Sequence, residues 1–203
     1  MSPEEQIRRD AAALVSRDSR FAGLDPQDLS IEVWGPGFGS LIHLILGQQV
    51  SIEAADAMYS NLEEAVGTVT PESLLRLDDD TMRRCGFTSM KTEYARGLAS
   101  AELDGASIDR LTEHPDNQVA GSLMSLRGIG RWTAECYLLF CLGRRDIFPA
   151  GDLALRIGYQ ELVGAPQPPS ESELKAAAEQ WAPTRTAAAY LIWHGYLVRR
   201  RRT

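Results

Sequence analysis

The chain has 203 residues, 44% apolar and 24% charged, with 28 acidic against 21 basic side chains and a net charge of −7. That length suits one large domain or two small lobes, and no apolar run reaches the ~18 residues that cross a bilayer. The acidic start Met1-Ser-Pro-Glu-Glu, and three cysteines (Cys85, Cys136, Cys141) with no Cys-x-x-Cys pair, speak against a secretory signal, a disulfide scaffold and a four-thiolate cluster.

In chain order, Ile7, Ala11, Leu14 and Val15 recur at helical spacing and predict a helix over 4–16. Trp34-Gly-Pro-Gly-Phe-Gly39 is a loop, because three glycines and a proline in six residues cannot hold a helix. Ser40 is read as the cap of a short helix that runs to Leu46 and stops at Gly47, and Ser51 as the cap of a longer one. That second helix has Ile52, Ala55, Met58, Tyr59 and Leu62 on one face. Thr70-Pro71 opens a further helix, and Asp80 and Ser89 are read as caps of two more, the second reaching about Gly105. Helix is expected over 117–126 and again from Arg131 to about Leu142, interrupted by Arg127-Gly-Ile-Gly130. After a loop from Gly143 to Gly151, Asp152 opens a helix, and Glu171–Gln180 and Thr184–Val198 supply the last two. Nothing alternates with period two, so the expected fold is all-α.

Charge is unevenly spread. Acid concentrates at Asp78–Asp80, Glu63-Glu64, Glu171/Glu173 and the N-terminus, whereas Arg199–Arg202 form a basic run at the end. The overall negative balance therefore does not exclude a polyanion partner, and the local pattern has to be read. Only Lys91 and Lys175 are lysines.

The informative stretch is Leu126-Arg-Gly128-Ile-Gly130-Arg-Trp132-Thr-Ala134, a turn with glycines two apart between apolar helical runs. Glycine permits left-handed backbone and close approach, while Ile129 can plug into the space between the flanking helices. The following helix starts at this turn, so its unpaired N–H groups and positive dipole end suit a phosphate oxygen. Such a site would grip nucleic-acid backbone without reading bases. A plain glycine turn between packed helices would look the same.

This turn, followed by Asp146-Ile-Phe148-Pro149-Ala-Gly-Asp152, resembles the helix-hairpin-helix DNA glycosylase superfamily, and more narrowly its 3-methyladenine DNA glycosylase II branch. Leu46-Gly-Gln-Gln-Val-Ser51 and Ile192-Trp193 fit the same branch, so the resemblance covers about residues 34–198. It implies two helical lobes with an active-site cleft between them. One lobe would span 35–140, with the hairpin at about 126–131; the other would join 1–34 to 141–203. The N-terminal α/β domain of longer members is not expected here.

The resemblance also implies roles. Asp152 is the expected catalytic carboxylate, stabilising an oxocarbenium-like sugar and orienting water; Asp146 is read as a loop-ordering residue. Trp132 stands where glycosylase/lyases carry a Schiff-base lysine, so a monofunctional hydrolase that leaves an abasic site is expected. Trp132, Trp193, Cys136 and Tyr159 are assigned to the pocket for the flipped base, where aromatic faces favour cationic alkylated purines such as 3-methyladenine and 7-methylguanine. Gln48, Gln49, Arg127, Gly128, Ile129, Gly130 and Arg131 are assigned to DNA contact, with Gln49 at the wedge that fills the vacated stack.

No organic cofactor or tightly ligated metal is expected, only a monovalent cation on the hairpin carbonyls, as in relatives. The implied partner is double-stranded DNA carrying damaged bases, met by a cytoplasmic, nucleoid-associated bacterial monomer with no membrane contact. Three readings compete: a noncatalytic helix-hairpin-helix DNA-binding module, an iron–sulfur glycosylase/lyase, and a helical scaffold unrelated to nucleic acid, which would show no salt-sensitive DNA affinity. The second lacks both its clustered cysteines and the hairpin lysine.

Overall fold

The computed structural model describes residues 1–106 and 108–201, apart from the side chains of Asp109 and Arg201. Its α-helices are α1 (Pro3–Arg17), α2 (Phe38–Leu46), α3 (Ile52–Val66), α4 (Pro71–Leu75), α5 (Asp79–Arg84), α6 (Ser89–Ala101), α7 (Asp116–Met124), α8 (Arg131–Cys136), α9 (Leu153–Val163), α10 (Glu171–Ala178) and α11 (Arg185–Arg201). Among the described residues there is no strand, as the all-α reading expects, and no helix long and apolar enough to cross a membrane.

Several boundaries differ from expectation. α2 starts at Phe38, after Gly37 at φ 126°, and Ser40 lies inside it with its hydroxyl donating to Gly35 O at 2.9 Å, so Ser40 is no cap. Among the three aspartates it is Asp78, not Asp80, that accepts from the third helical N–H (Thr81, 2.7 Å) and caps α5. Thr88, not Ser89, does the same for α6 through Lys91 N at 3.2 Å. The α-turns of α6 stop at Ala101, and a wider π turn over Glu102–Ala106, with Gly105 at φ 102°, replaces the last predicted turn. A π turn over Tyr137–Cys141 likewise continues α8. Short 3-10 turns at Ser19–Phe21 and Pro26–Asp28 occupy the segment after α1.

The chain forms two compact units. The first joins Met1–Val33 to Gly143–Thr203. Its core buries Ile7, Leu14, Phe21, Leu155, Trp181 and Leu191. Asp10, 5% exposed, is held by Arg145, whose Nη2 donates to Asp10 Oδ1 at 2.6 Å. Phe21, Phe148 and Tyr159 all lie against the Trp181 ring, and the Trp181 indole donates to Asp18 Oδ2 at 3.0 Å. α9 packs along α11, and the contact is closest at Gly158. A Cβ there would stand 2.8 Å from Ile192 Cγ2 and 3.0 Å from the Ile192 carbonyl oxygen.

The second unit is Trp34–Leu142. Leu41, Ile45, Leu62, Leu74, Leu123 and Tyr137 are fully buried within it. α2 packs on α3 and α6, and α7 and α8 form the two arms of the glycine turn. His43 lies flat between Trp34 and Tyr59, with ring centroids 4.5 Å away on each side, and its Nε2 pairs with Asp56 Oδ1 at 3.0 Å.

Two measurements test this packing. Gly158→Ala should cost about 1–3 kcal/mol in chemical denaturation, since α9 must lift from α11 to admit a methyl group. Asp18 is drawn from its usual 3.8 to about 2, chiefly by the Arg20 guanidinium on its carboxylate and then by the Trp181 indole. A depressed carboxylate contributes stability above its unfolded pKa and loses it as pH falls through the folded one. Asp18→Asn should therefore flatten the fall of stability between pH 3.8 and about 2.

Candidate functional site

In the first unit the site is built at the start of α9. Asp152 caps this helix, and its Oδ1 accepts from Leu155 N at 2.8 Å. The same oxygen accepts from the indole Nε1 of Trp193 at 3.0 Å. Trp193 lies two turns into α11, on the face that α9 crosses, and is braced edge-on by Tyr190 at 6.1 Å. Two donors from different elements thus fix the half-buried carboxylate in one orientation. Sequence reasoning assigned Trp193 to a base pocket and missed its bond to Asp152; the only signal was an indole donor needing an acceptor.

Asp146, in the same loop, is differently committed. Arg185 holds it with both prongs, Nε to Oδ1 at 2.8 Å and Nη2 to Oδ2 at 2.9 Å. Burial opposes its ionisation, yet the guanidinium outweighs burial and keeps the carboxyl below its usual value. Tyr159 is placed against Trp181, ring centroids 6.1 Å apart, in the aromatic cluster of this unit. Arg199 and Arg200 both pair with Glu161 on α9, at 2.7 and 3.0 Å. The side chain of Arg201 and the whole of Arg202, the rest of the basic run, lie outside the described residues.

In the second unit the structure brings together Gln48, Gly128, Ile129, Gly130 and the start of α8. Gly128 has φ 89°, and a Cβ there would fall 2.2 Å from Cγ of Tyr94, so the turn tolerates only glycine. Ile129 is 5% exposed and fills the turn from inside. Gly130 precedes α8 in extended backbone (φ −90°, ψ 177°), and no side chain caps that helix. Arg127 and Arg131 flank the turn on the surface, Arg127 paired with Glu93 at 2.6 Å and Arg131 near Glu135 at 4.0 Å. Trp132 is half-buried in the first turn of α8, while Cys136 is 1% exposed.

Gln48 turns inward. Its Nε2 donates to the Gly128 carbonyl at 3.0 Å and to Thr133 Oγ1 at 3.1 Å. Gln49 beside it is exposed and has φ 61°, the sole non-glycine positive φ among the described residues. Val50 (38% exposed) and Ile52 (64% exposed) flank it, giving the loop an apolar rim. Left-handed backbone at a residue with a Cβ costs about 1 kcal/mol and persists where the surrounding structure holds it. No cluster of three metal-ligating side chains occurs among the described residues.

Residues 42–184 match the HhH-GPD superfamily base excision DNA repair protein family. The chain is 33% identical over 164 residues to DNA-3-methyladenine glycosylase 1 of Schizosaccharomyces pombe, covering 77% of this chain and 71% of that protein. It is 27% identical over 203 residues to an alkylbase DNA glycosidase-like protein of the same organism, covering 95% of each. The solved structure of the S. pombe 3-methyladenine DNA glycosylase in complex with abasic DNA superposes with a TM-score of 0.80 at 29% identity, over 91% of this chain and 95% of that one. The chain belongs to the HhH-GPD superfamily of base excision DNA repair proteins, in its DNA-3-methyladenine glycosylase branch.

Proposed function

We propose that this protein is a monofunctional DNA glycosylase that releases alkylated bases, 3-methyladenine and 7-methylguanine among them, and leaves an abasic site. The observation that carries the reading is Asp152, held by Leu155 N and the Trp193 indole at the start of α9. Departure of the base leaves positive charge on the sugar, and a carboxylate of fixed orientation stabilises that charge without having to reorganise. The same group orients the water that replaces the base. An alkylated purine is cationic and already a good leaving group, so an aromatic face both attracts it and prefers it over the neutral base; Trp132 and Trp193 supply such faces. A noncatalytic DNA-binding module would need the hairpin but not this carboxylate.

Neither lysine suits a Schiff base. Lys91 is buried with Nζ on the Leu46 carbonyl, and Lys175 sits in α10. Trp132 in the hairpin helix has no amine to offer. DNA backbone would rest on the N–H groups after Gly130, with Arg127 and Arg131 beside them. A monovalent cation would rest on the hairpin carbonyls, where the Gly128 oxygen keeps one lone pair beside its bond from Gln48, and would add positive charge near the phosphate.

Base release from methylated duplex DNA is the test. Asp152→Asn should lower single-turnover release by about a hundredfold or more while duplex affinity stays near wild type. Trp193→Phe keeps the ring but drops the donor, and should lower the rate by about tenfold with little change in binding. Borohydride should trap no covalent adduct; a trapped adduct would overturn the monofunctional reading. Near-normal turnover by Asp152→Asn would remove that residue from the chemistry.

Gln49→Gly separates wedge from scaffold. Relief of left-handed strain should stabilise the fold by about 1 kcal/mol, while release of base from fully paired duplex falls. A variant that is more stable and equally active would show that Gln49 is not the wedge.

A further inference from the structure

The loop that carries Gln49 is only four residues long, Gly47 to Val50, yet two ties hold it, one donated by Lys91 to the residue before it and one donated by its own Gln48 to the glycine turn. Lys91 of α6 is 8% exposed, and its Nζ donates to the Leu46 carbonyl at 2.6 Å, at the last residue of α2. No carboxylate pairs with this lysine among the described residues. Burial holds its pKa below the usual lysine value. Its position is nonetheless favourable, because the last carbonyls of a helix lack partners and carry the negative end of its dipole.

The second tie is Gln48. A carbonyl oxygen can only accept, so the Gly128 contact at 3.0 Å fixes which end of the amide is the NH2 group. Its other contact is Thr133 Oγ1, a side chain 2% exposed in the first turn of α8. Beyond Gln48 only Gln49 and Val50 precede Ser51, which caps α3 by accepting from Ala54 N at 3.2 Å. A chain pinned at Leu46, Gln48 and Ser51 has nowhere to relax between them. The left-handed φ of 61° at Gln49 is the geometric result.

We infer that Gln48 and Lys91 are positioning residues that lock the Gln49 loop to the glycine turn, so that the phosphate grip and the wedge act as one rigid piece. The inference rests on the glycosylase reading and deepens it. Opening a base step requires work against stacking, and a loop free to pivot yields instead of transmitting that work. Here the Gly128 turn receives the load through a bond to its own carbonyl. Loss of either tie impairs extrusion of the base, and leaves duplex binding and bond cleavage intact.

The experiment compares wild type with Gln48→Ala, Gln48→Glu, Lys91→Met and the conservative Lys91→Arg. Each is given 7-methylguanine in a fully paired duplex and the same lesion opposite an abasic site, where it is already unpaired and cheaper to extrude. A 2-aminopurine next to the lesion reports unstacking, and thermal melting checks the fold. The expected result is release from the paired duplex about tenfold slower, with the 2-aminopurine signal reduced in parallel. Duplex affinity should stay within about twofold, and release from the unpaired lesion should return to within about threefold of wild type. Lys91→Arg, which can still donate to Leu46 O, should recover most of the loss. If Lys91→Met melts before the assay temperature, Gln48→Ala alone decides. Wild-type release from the paired duplex by Gln48→Ala, or equal impairment on both substrates, overturns the inference. Failure of wild type to release base from either substrate overturns the glycosylase reading instead, and the ties are then judged on 2-aminopurine unstacking alone.

Discussion

Where α9 crosses α11, Gly158 faces Ile192 with no room for a methyl group, and the orientation of Asp152 in the first unit depends on that closeness. The crossing brings the N-terminal end of α9 within hydrogen-bond reach of an indole on α11, so Asp152 is oriented by two elements at once. Farther along the same crossing, Glu161 collects Arg199 and Arg200. Exposed ion pairs of this kind contribute little stability. Their effect is on charge: the single carboxylate of Glu161 offsets one of the two positive charges of Arg199 and Arg200, so the run offers less free positive charge than its composition implies.

The second unit solves a different problem with a similar device. Gly128, closed onto the Tyr94 ring, makes the turn too tight for any other residue. Its carbonyl is then available to the one side chain, Gln48, that belongs to the neighbouring loop. At the start of α8 no side chain caps the backbone N–H groups, while the Gly128 carbonyl in the same turn accepts from Gln48. Each unit holds its candidate residues on elements that its own core makes rigid, as a preorganised site requires.

Local chemistry was legible in the sequence and distant pairing was not. The all-helical fold follows from apolar spacing, whereas the hairpin and Asp152 received their roles from the family resemblance, because a glycine turn and a capping carboxylate are common in any helical protein. The cap of α5 was misplaced because three adjacent aspartates are equivalent until one of them reaches Thr81 N. Trp193 meets Asp152 across 41 residues and Gln48 meets Gly128 across 80, separations over which spacing rules carry no information. Tyr159 is the reverse case. An aromatic residue at helical spacing says that a ring is present, but not that Phe21, Phe148 and Trp181 will gather round it. The left-handed backbone at Gln49 had no signature at all, since glutamine is not a residue that favours it.

Cys85, Cys136 and Cys141 are all buried, and burial pushes the Cys141 thiol far above its usual pKa. Thiolates are the species that electrophiles attack, so the native chain presents little for a maleimide or an oxidant to find. A cysteine engineered at the exposed Gln49 would then be labelled almost alone, which makes that loop addressable by a single-site reporter.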